Sequence, residues 1–301
     1  MLNWMDLEDI SFNSMLLLEK VQLSWLKKSN LSREDFTIAL KYNPVVYWYI
    51  VNKCPSIDEF ITGVLNETRG MEVVSEKRVR EAELSVMRTL EDWLVYVIDP
   101  KIYDNQPFLN WDSKELTEVA DFKDKTVLDI GAGTGRLSFV AAKTAKTVYC
   151  VEPVNNLRDY LKQKSKKLGF DNVYVVDGVI EHIPFNSNFA DVIMAGHVVG
   201  DNVKTEVKEL LRVVKSNGQI ILCPGNGDKD NDTHNYLVQK GFSWSRFKQP
   251  RDGWKRKYWL NLSWSALYHG WKLSKIEKLI NIVNELKQIN RWGVFYEYAL
   301  C

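Results

Sequence analysis

Three glycines and two acids carry the chemistry this chain can do. Residues 126–135 read Thr-Val-Leu-Asp-Ile-Gly-Ala-Gly-Thr-Gly, so Asp129 stands two positions before Gly131, and Ala132, Gly133 and Gly135 complete a glycine-rich turn. Residues without a side chain let the main chain pass close to a ligand, and amides at the start of a following helix face whatever binds there. Residues 126–130 form a short apolar run with a β-branched bias, the pattern of a buried strand, and residues 136–143 read as an amphipathic helix. Strand, glycine turn and helix in that order predict a nucleotide site.

The spacing indicates which nucleotide. A dinucleotide fingerprint wants its third glycine where Arg136 stands, whereas here it comes one residue early, at Gly135. A second apolar strand, residues 147–151, ends in Glu152-Pro153, about 20 residues after the first glycine, where a carboxylate can accept hydrogen bonds from both hydroxyls of a ribose. A third strand, residues 173–176, ends in Asp177-Gly178-Val179, and a fourth run, residues 189–195, carries Asp191 near its start and leads into Gly196-His197.

On the acid-x-Gly-x-Gly-x-Gly turn, Glu152, Asp177-Gly178-Val179 and Asp191, the sequence resembles the class I S-adenosylmethionine-dependent methyltransferases, and by pattern the quinone and sterol methyltransferases among them. The resemblance is specific over residues 120–223, loose to 262, and covers neither end. It implies S-adenosyl-L-methionine as cofactor and S-adenosyl-L-homocysteine as product. It puts Asp129, Gly131, Ala132, Gly133 and Gly135 in the cofactor turn and Glu152 with Pro153 at the ribose. Asp177, Gly178 and Val179 fall at the adenine, a carboxylate for the exocyclic amine and an amide for a ring nitrogen. His197 falls at the methionine end, mainly through its backbone. At the C-terminal end of a strand, and with a general base's titration range, His197 is also the candidate catalytic side chain. Asp201 reads as the cap of the next helix.

The elements that must position these residues repeat as β-α-β units. Residues 206–214 read as a helix stopped by Lys215-Ser216-Asn217-Gly218, and residues 219–223 as a fifth strand. Right-handed crossovers of this kind force a parallel sheet covered by helices on both faces. After a helix over 232–240, alternating runs at 242–248 and 254–262 flank Arg251-Asp252-Gly253 and predict a hairpin. The fold class is therefore α/β, a Rossmann-like, seven-stranded, mostly parallel sheet with an N-terminal helical domain. The hairpin places Arg246, Lys248, Arg251, Lys255, Arg256 and Lys257 beside Trp244, Trp254, Tyr258 and Trp259. Alternation puts most of these charges on one solvated face, in preference to a phosphate- or base-binding patch.

Residues 1–119 read as a mainly helical cap or substrate domain of four or five helices. The signs are an apolar face over 16–26, a capped start at Ser32, an apolar aromatic piece between Pro44 and Pro55, and a charged helical stretch over 74–98. The segment 103–111 suits a lid, with Tyr103, Trp111 and, beyond the fifth strand, Asn226 reaching the acceptor. Residues 120–262 form the cofactor domain. Residues 263–301 form an extension with a helix over 274–289 and a strand over 294–298, free to pack on the N-terminal helices or on a second subunit in a homodimer.

Composition excludes several classes. The 301 residues carry 40 basic and 39 acidic side chains, a net charge of +1, so no global field draws in nucleic acid or anionic lipid. Cys54, Cys150, Cys223 and Cys301 are scattered, with neither a disulfide framework nor a metal site in their spacing. The N-terminus lacks a secretory pattern and no apolar run reaches membrane length, which points to a reducing cytoplasm. The expected activity is methyl transfer to a small-molecule acceptor. A nucleic-acid methyltransferase is the alternative, although Ala195-Gly196-His197-Val198 stands where amino-directed base enzymes carry Asp/Asn-Pro-Pro-aromatic, and Cys223 follows the wrong strand for a cytosine nucleophile. A regulatory protein that binds the cofactor without turnover is the third reading.

Overall fold

The computed structural model describes residues 4–67, 73–225 and 227–262. The expected C-terminal helix and strand and the site residue Asn226 lie outside the described residues.

Seven strands form one sheet: β1 (Thr126–Ile130), β2 (Thr147–Val151), β3 (Val173–Val176), β4 (Ala190–Gly196), β5 (Val214–Cys223), β6 (Ser243–Gln249) and β7 (Gly253–Asn261), in the order β3-β2-β1-β4-β5-β7-β6. Neighbours among β1 to β5 run parallel, while β7 pairs antiparallel with both β5 and β6. The chain builds outward from β1 to β3 and then returns to the other side of β1. That reversal opens a crevice at the C-terminal ends of β1 and β4, where open α/β sheets bind ligands.

The central parallel strands β1 and β4 are largely buried on both faces, and alternation divides their side chains. Val127, Val192 and Met194 join one apolar cluster, while Leu128, Ile193 and Ala195 join the other.

Eight α-helices precede the sheet among the described residues: α1 (Lys20–Ser24), α2 (Arg33–Tyr42), α3 (Pro44–Lys53), α4 (Asp58–Glu67), α5 (Glu76–Thr89), α6 (Glu91–Ile98), α7 (Pro100–Asp104) and α8 (Lys114–Thr117). They are more numerous than the four or five expected, because turns of four or five residues leave no periodic trace. Most of them surround a core of their own that includes Phe12, Met15, Phe36, Ile50 and Leu90. Ser32 caps α2 by accepting from the Asp35 amide, and Pro44 opens α3, as read from the sequence. The stretch 74–98 is two helices, broken at Leu90, where ψ rises to 15°. Beyond the break, the fully buried Glu91 carboxylate accepts the amides of Trp4 at 2.5 Å and Met5 at 2.8 Å, a long-range tie that no local pattern announces.

Among the described residues, four helices flank the sheet: α9 (Ser138–Ala141), α10 (Asn155–Leu168), α11 (Val203–Val213) and α12 (Asp232–Gln239). Val140, Ala141 and Leu161 of α9 and α10 pack on one face, and Val207, Leu210 and Leu237 of α11 and α12 on the other. The helix expected over 136–143 shortens to α9. The expected helix stop at 215–218 instead lies within β5, which begins at Val214. Ala190 pairs with Val214 but Val192 pairs with Gln219, so the intervening residues of β5 form a bulge.

Candidate functional site

The turn after β1 is built for close approach. The amides of Gly131 and Ala132 both donate to the Val151 carbonyl of the neighbouring strand, at 2.8 and 3.2 Å, which ties the turn to the end of β2. Gly131 has φ +66°, and a Cβ there would lie 2.3 Å from Val198 Cγ1, so no side chain fits. Gly133, at φ +53°, faces the Tyr103 ring instead, with a Cβ position 3.6 Å from it. Gly135 packs under Phe139 and Leu161, and so belongs to the turn's support.

A cavity of about 650 Å³ opens at this crevice. From the sheet domain it is lined by Gly131, Gly133, Glu152, Pro153, Gly178, Val179 and His197, and from the N-terminal helices by Trp25, Asp92, Trp93, Tyr96 and Tyr103. Glu152 is only 4% exposed, and its two oxygens accept the Gly133 and Val154 amides, each at 2.9 Å. Burial lifts its pKa to about 7, against the pull of those two amides. Tyr103 closes over the turn, edge-on to Tyr96 at 4.9 Å between centroids.

Asp129 lies deeper, below a second cavity of about 50 Å³ that it lines together with Thr134, Arg136, Cys223 and Trp111. One Asp129 oxygen accepts from Ser138 Oγ, while Oδ1 and the hydroxyl of Thr134 have no partner among the described residues. Burial raises Asp129 to about 7 as well. Ala132 and Trp111 are both buried beside this small cavity. Arg136 lies over the Trp111 ring at 4.4 Å and donates to the carbonyls of Leu109 and Trp111. Trp111 is therefore a clamped wall residue rather than a mobile cover. Cys223 is a buried thiol pushed up to about 12 by desolvation, consistent with a core role.

His197 follows β4 in a left-handed conformation, φ +61°, that few non-glycine residues adopt. Its amide donates to the Cys223 carbonyl at 2.8 Å. Its ring lies against Gly225, where a Cβ would come within 2.4 Å of Nδ1, and its Nε2 is 3.4 Å from Gln249 Nε2. The ring faces the cavity, and desolvation by its walls, followed by the charge of Lys255, lowers its pKa below the usual 6.5. The shift favours the uncharged imidazole.

Two expected residues sit elsewhere. The Asp177 side chain is 74% exposed and pairs with Arg158 at 3.0 Å, so Gly178 and Val179 line the cavity without that carboxylate. Asp201 does not cap α11; Asn202 does, accepting from Thr205, and Asp201 pairs with Lys28 across the cavity mouth at 2.7 Å. The hairpin charges divide too. Arg246, Lys248 and Arg251 are exposed, but Arg256 is buried against Asp228 and Asp230, and Lys257 against Glu115.

Sequence reasoning missed Asp92, Trp25, Trp93 and Tyr96, whose place on the cavity wall is set by how the N-terminal helices dock. It also missed Glu206, fully buried, which accepts the Gly200 and Asn202 amides at 2.8 and 2.7 Å and so fixes the loop after β4. Its position four residues after Asn202 was the available signal. Among the described residues, no group of three or more histidines, cysteines or acids could hold a metal ion.

Residues 128–222 match the family described as methyltransferase domain. The glycine turn and the buried acid after β2 lie within that match, over which the chain is similar to a class I S-adenosylmethionine-dependent methyltransferase domain. It is similar to a protein-L-isoaspartate O-methyltransferase of Dictyoglomus turgidum, 34% identical over 100 residues that make up 31% of this chain and 44% of that protein. It is also similar to a protein arginine N-methyltransferase 1 of Oryza sativa subsp. indica, 45% identical over 76 residues, 25% of this chain and 19% of that protein. The chain thus spans less than half the length of these curated relatives. Among solved structures, a SAM-dependent methyltransferase from Aquifex aeolicus aligns with a TM-score of 0.43 at 20% identity, covering 54% of this chain and 97% of that one.

S-adenosylmethionine is the cofactor of that class, and the residues present fit it. Each Glu152 oxygen holds one amide and keeps acceptor capacity toward the cavity, as a vicinal diol requires. The unpaired Asp129 Oδ1 and Thr134 hydroxyl offer further acceptors under the turn.

Proposed function

We propose that the chain transfers the methyl group of S-adenosylmethionine to a small-molecule acceptor held in the large cavity. The supporting observation is its enclosure: N-terminal helices contribute Trp25, Asp92, Trp93, Tyr96 and Tyr103 to its walls, at about 650 Å³, a size typical of small-molecule sites. When bound, the cofactor supplies a methyl on a cationic sulfur that an acceptor displaces in line. The chain's own residues then have three tasks. The Gly131–Gly133 main chain and Glu152 hold the nucleoside, the aromatic walls exclude water and align the acceptor, and the neutral His197 ring takes a proton where the acceptor must lose one.

In the same reading, Gly178 and Val179 serve the adenine, residues 1–119 act as the substrate cap, 120–262 as the cofactor domain, and 263–301 as an extension of either cap or subunit contact. Among the described residues no helix is long and apolar enough to cross a membrane. A cytoplasmic location is part of the proposal.

Calorimetry with S-adenosylhomocysteine, followed by labelled-methyl transfer assays on metabolite pools and on RNA, tests it. Saturable binding with label in a small-molecule fraction is the expected result. Label in RNA would replace the acceptor class, and binding with no transfer would favour a regulatory protein.

A further inference from the structure

We infer that the acceptor is a cationic amine, seated on Asp92 between the rings of Trp25, Trp93 and Tyr96. This rests on the methyl-transfer reading above.

The wall chemistry carries the inference. Among the described residues, five carboxylates line the large cavity (Asp92, Glu152, Glu181, Asp201 and Glu206), and no lysine or arginine does. Four of the five have an evident occupation. Glu152 and Glu206 each hold two backbone amides. Asp201 pairs with Lys28 at the mouth, and Glu181 is exposed to water. Asp92, in the first turn of α6, is half-buried; the backbone amides of Asp92 and Trp93 favour its charge, but it has no cationic partner among the described residues. A carboxylate drawn partly out of water is costly unless a cation or donors compensate.

Its surroundings are aromatic. Trp93 is the next residue in α6, and Trp25 meets Trp93 edge-on with centroids 5.5 Å apart. Indole faces attract ammonium groups, and a desolvated carboxylate supplies the charge partner. An anionic acceptor would meet the Asp92 carboxylate with no cation beside it among the described residues, and a neutral phenol or alcohol could offer Asp92 a hydrogen bond but no charge.

The chemistry balances. The bound ammonium gives one proton to the uncharged His197 ring. The freed nitrogen lone pair forms the bond to the methyl carbon as the carbon–sulfur bond breaks and its electron pair stays on sulfur. The product is an N-methylammonium, and His197 passes its proton to solvent.

The test uses the full chain saturated with S-adenosylhomocysteine and reads tryptophan fluorescence, since Trp25 and Trp93 are in the wall. Two amine and alcohol pairs of similar shape are titrated, choline against 3,3-dimethylbutan-1-ol and 2-phenylethylamine against 2-phenylethanol. At least one cation is expected to bind about tenfold or more tighter than its alcohol, and Asp92→Asn to remove that preference while leaving S-adenosylhomocysteine affinity unchanged. Equal binding of both members in both pairs, no quench by either cation, or an undiminished preference in Asp92→Asn overturns the inference. Weakened S-adenosylhomocysteine binding in Asp92→Asn also overturns it, by assigning Asp92 to the cofactor. If the unsubstituted chain fails to bind S-adenosylhomocysteine, the methyl-transfer reading falls and takes this inference with it.

Discussion

Glu152 sets the pH behaviour of the site. Its pKa is raised from 4.5 to about 7 by burial, so the folded chain holds this proton more tightly than the unfolded chain does. Stability conferred by the protonated form is therefore present below pH 4.5 and declines as pH climbs toward about 7. Hydroxyl donors of a ribose favour the charged carboxylate, so affinity for S-adenosylhomocysteine should rise between pH 6 and pH 8, roughly the range bracketing that pKa. Calorimetry across the range should show this rise. Glu152→Gln should weaken binding by about 2 kcal/mol near pH 8 and flatten most of the slope. Asp129, also near 7, leaves a residual one. An equal slope in the variant would remove Glu152 from the ribose. Gly131→Ala should cost about 1–3 kcal/mol in denaturant melts, through both its positive φ and the Val198 contact. Adding Val198→Ala should recover only the steric part.

At the scale of the element, the loop from β4 into α11 is held from below. Glu206 satisfies two amides of that loop while fully buried, whereas the Asn202 cap is a long contact at 3.5 Å near the surface. Glu206→Ala should cost about 2–3 kcal/mol of stability because it strands two donors, and Asn202→Ala about 1 kcal/mol or less. Thermal melts of the two variants compare these directly. A larger loss for Asn202→Ala would show that the cap, rather than the buried acid, shapes the loop carrying His197.

Across the whole molecule, the last hairpin is tied back to the segment that precedes the sheet. Lys257 of β7, almost fully buried, donates to the Glu115 carboxylate of α8 at 2.6 Å and to its carbonyl at 2.7 Å. Gln249 of β6 donates to the Phe108 carbonyl at 2.9 Å. Glu115→Ala should cost about 3 kcal/mol by leaving an ammonium uncompensated, and Lys257→Met added to it should restore much of that loss. Chemical denaturation of the single and double variants is the measurement; a double variant no more stable than Glu115→Ala would show that the pair acts only through packing.

Local pattern alone placed the glycine turn, the strands around it and the acid Glu152 after the second strand, because a strand, its turn and the acid at the next strand's end are specified by short-range spacing and by alternation that burial on two faces enforces. The same spacing misjudged Asp201 as the helix cap and did not show that the Asp177 side chain is exposed, since a side chain's direction depends on which cation lies nearby, here Lys28 and Arg158. It also read Lys257 as solvated when its partner is 142 residues away. The cavity's far wall was the least legible part. Asp92, Trp93 and Tyr96 fall inside the helical stretch 74–98 with nothing in their spacing to single them out, and only the packing of the N-terminal core turns them toward the nucleotide turn. Sequence thus determined the glycine turn and the acid that follows the second strand, which local geometry builds, and tertiary structure decided what lines the rest of the cavity, which long-range burial and charge pairing build.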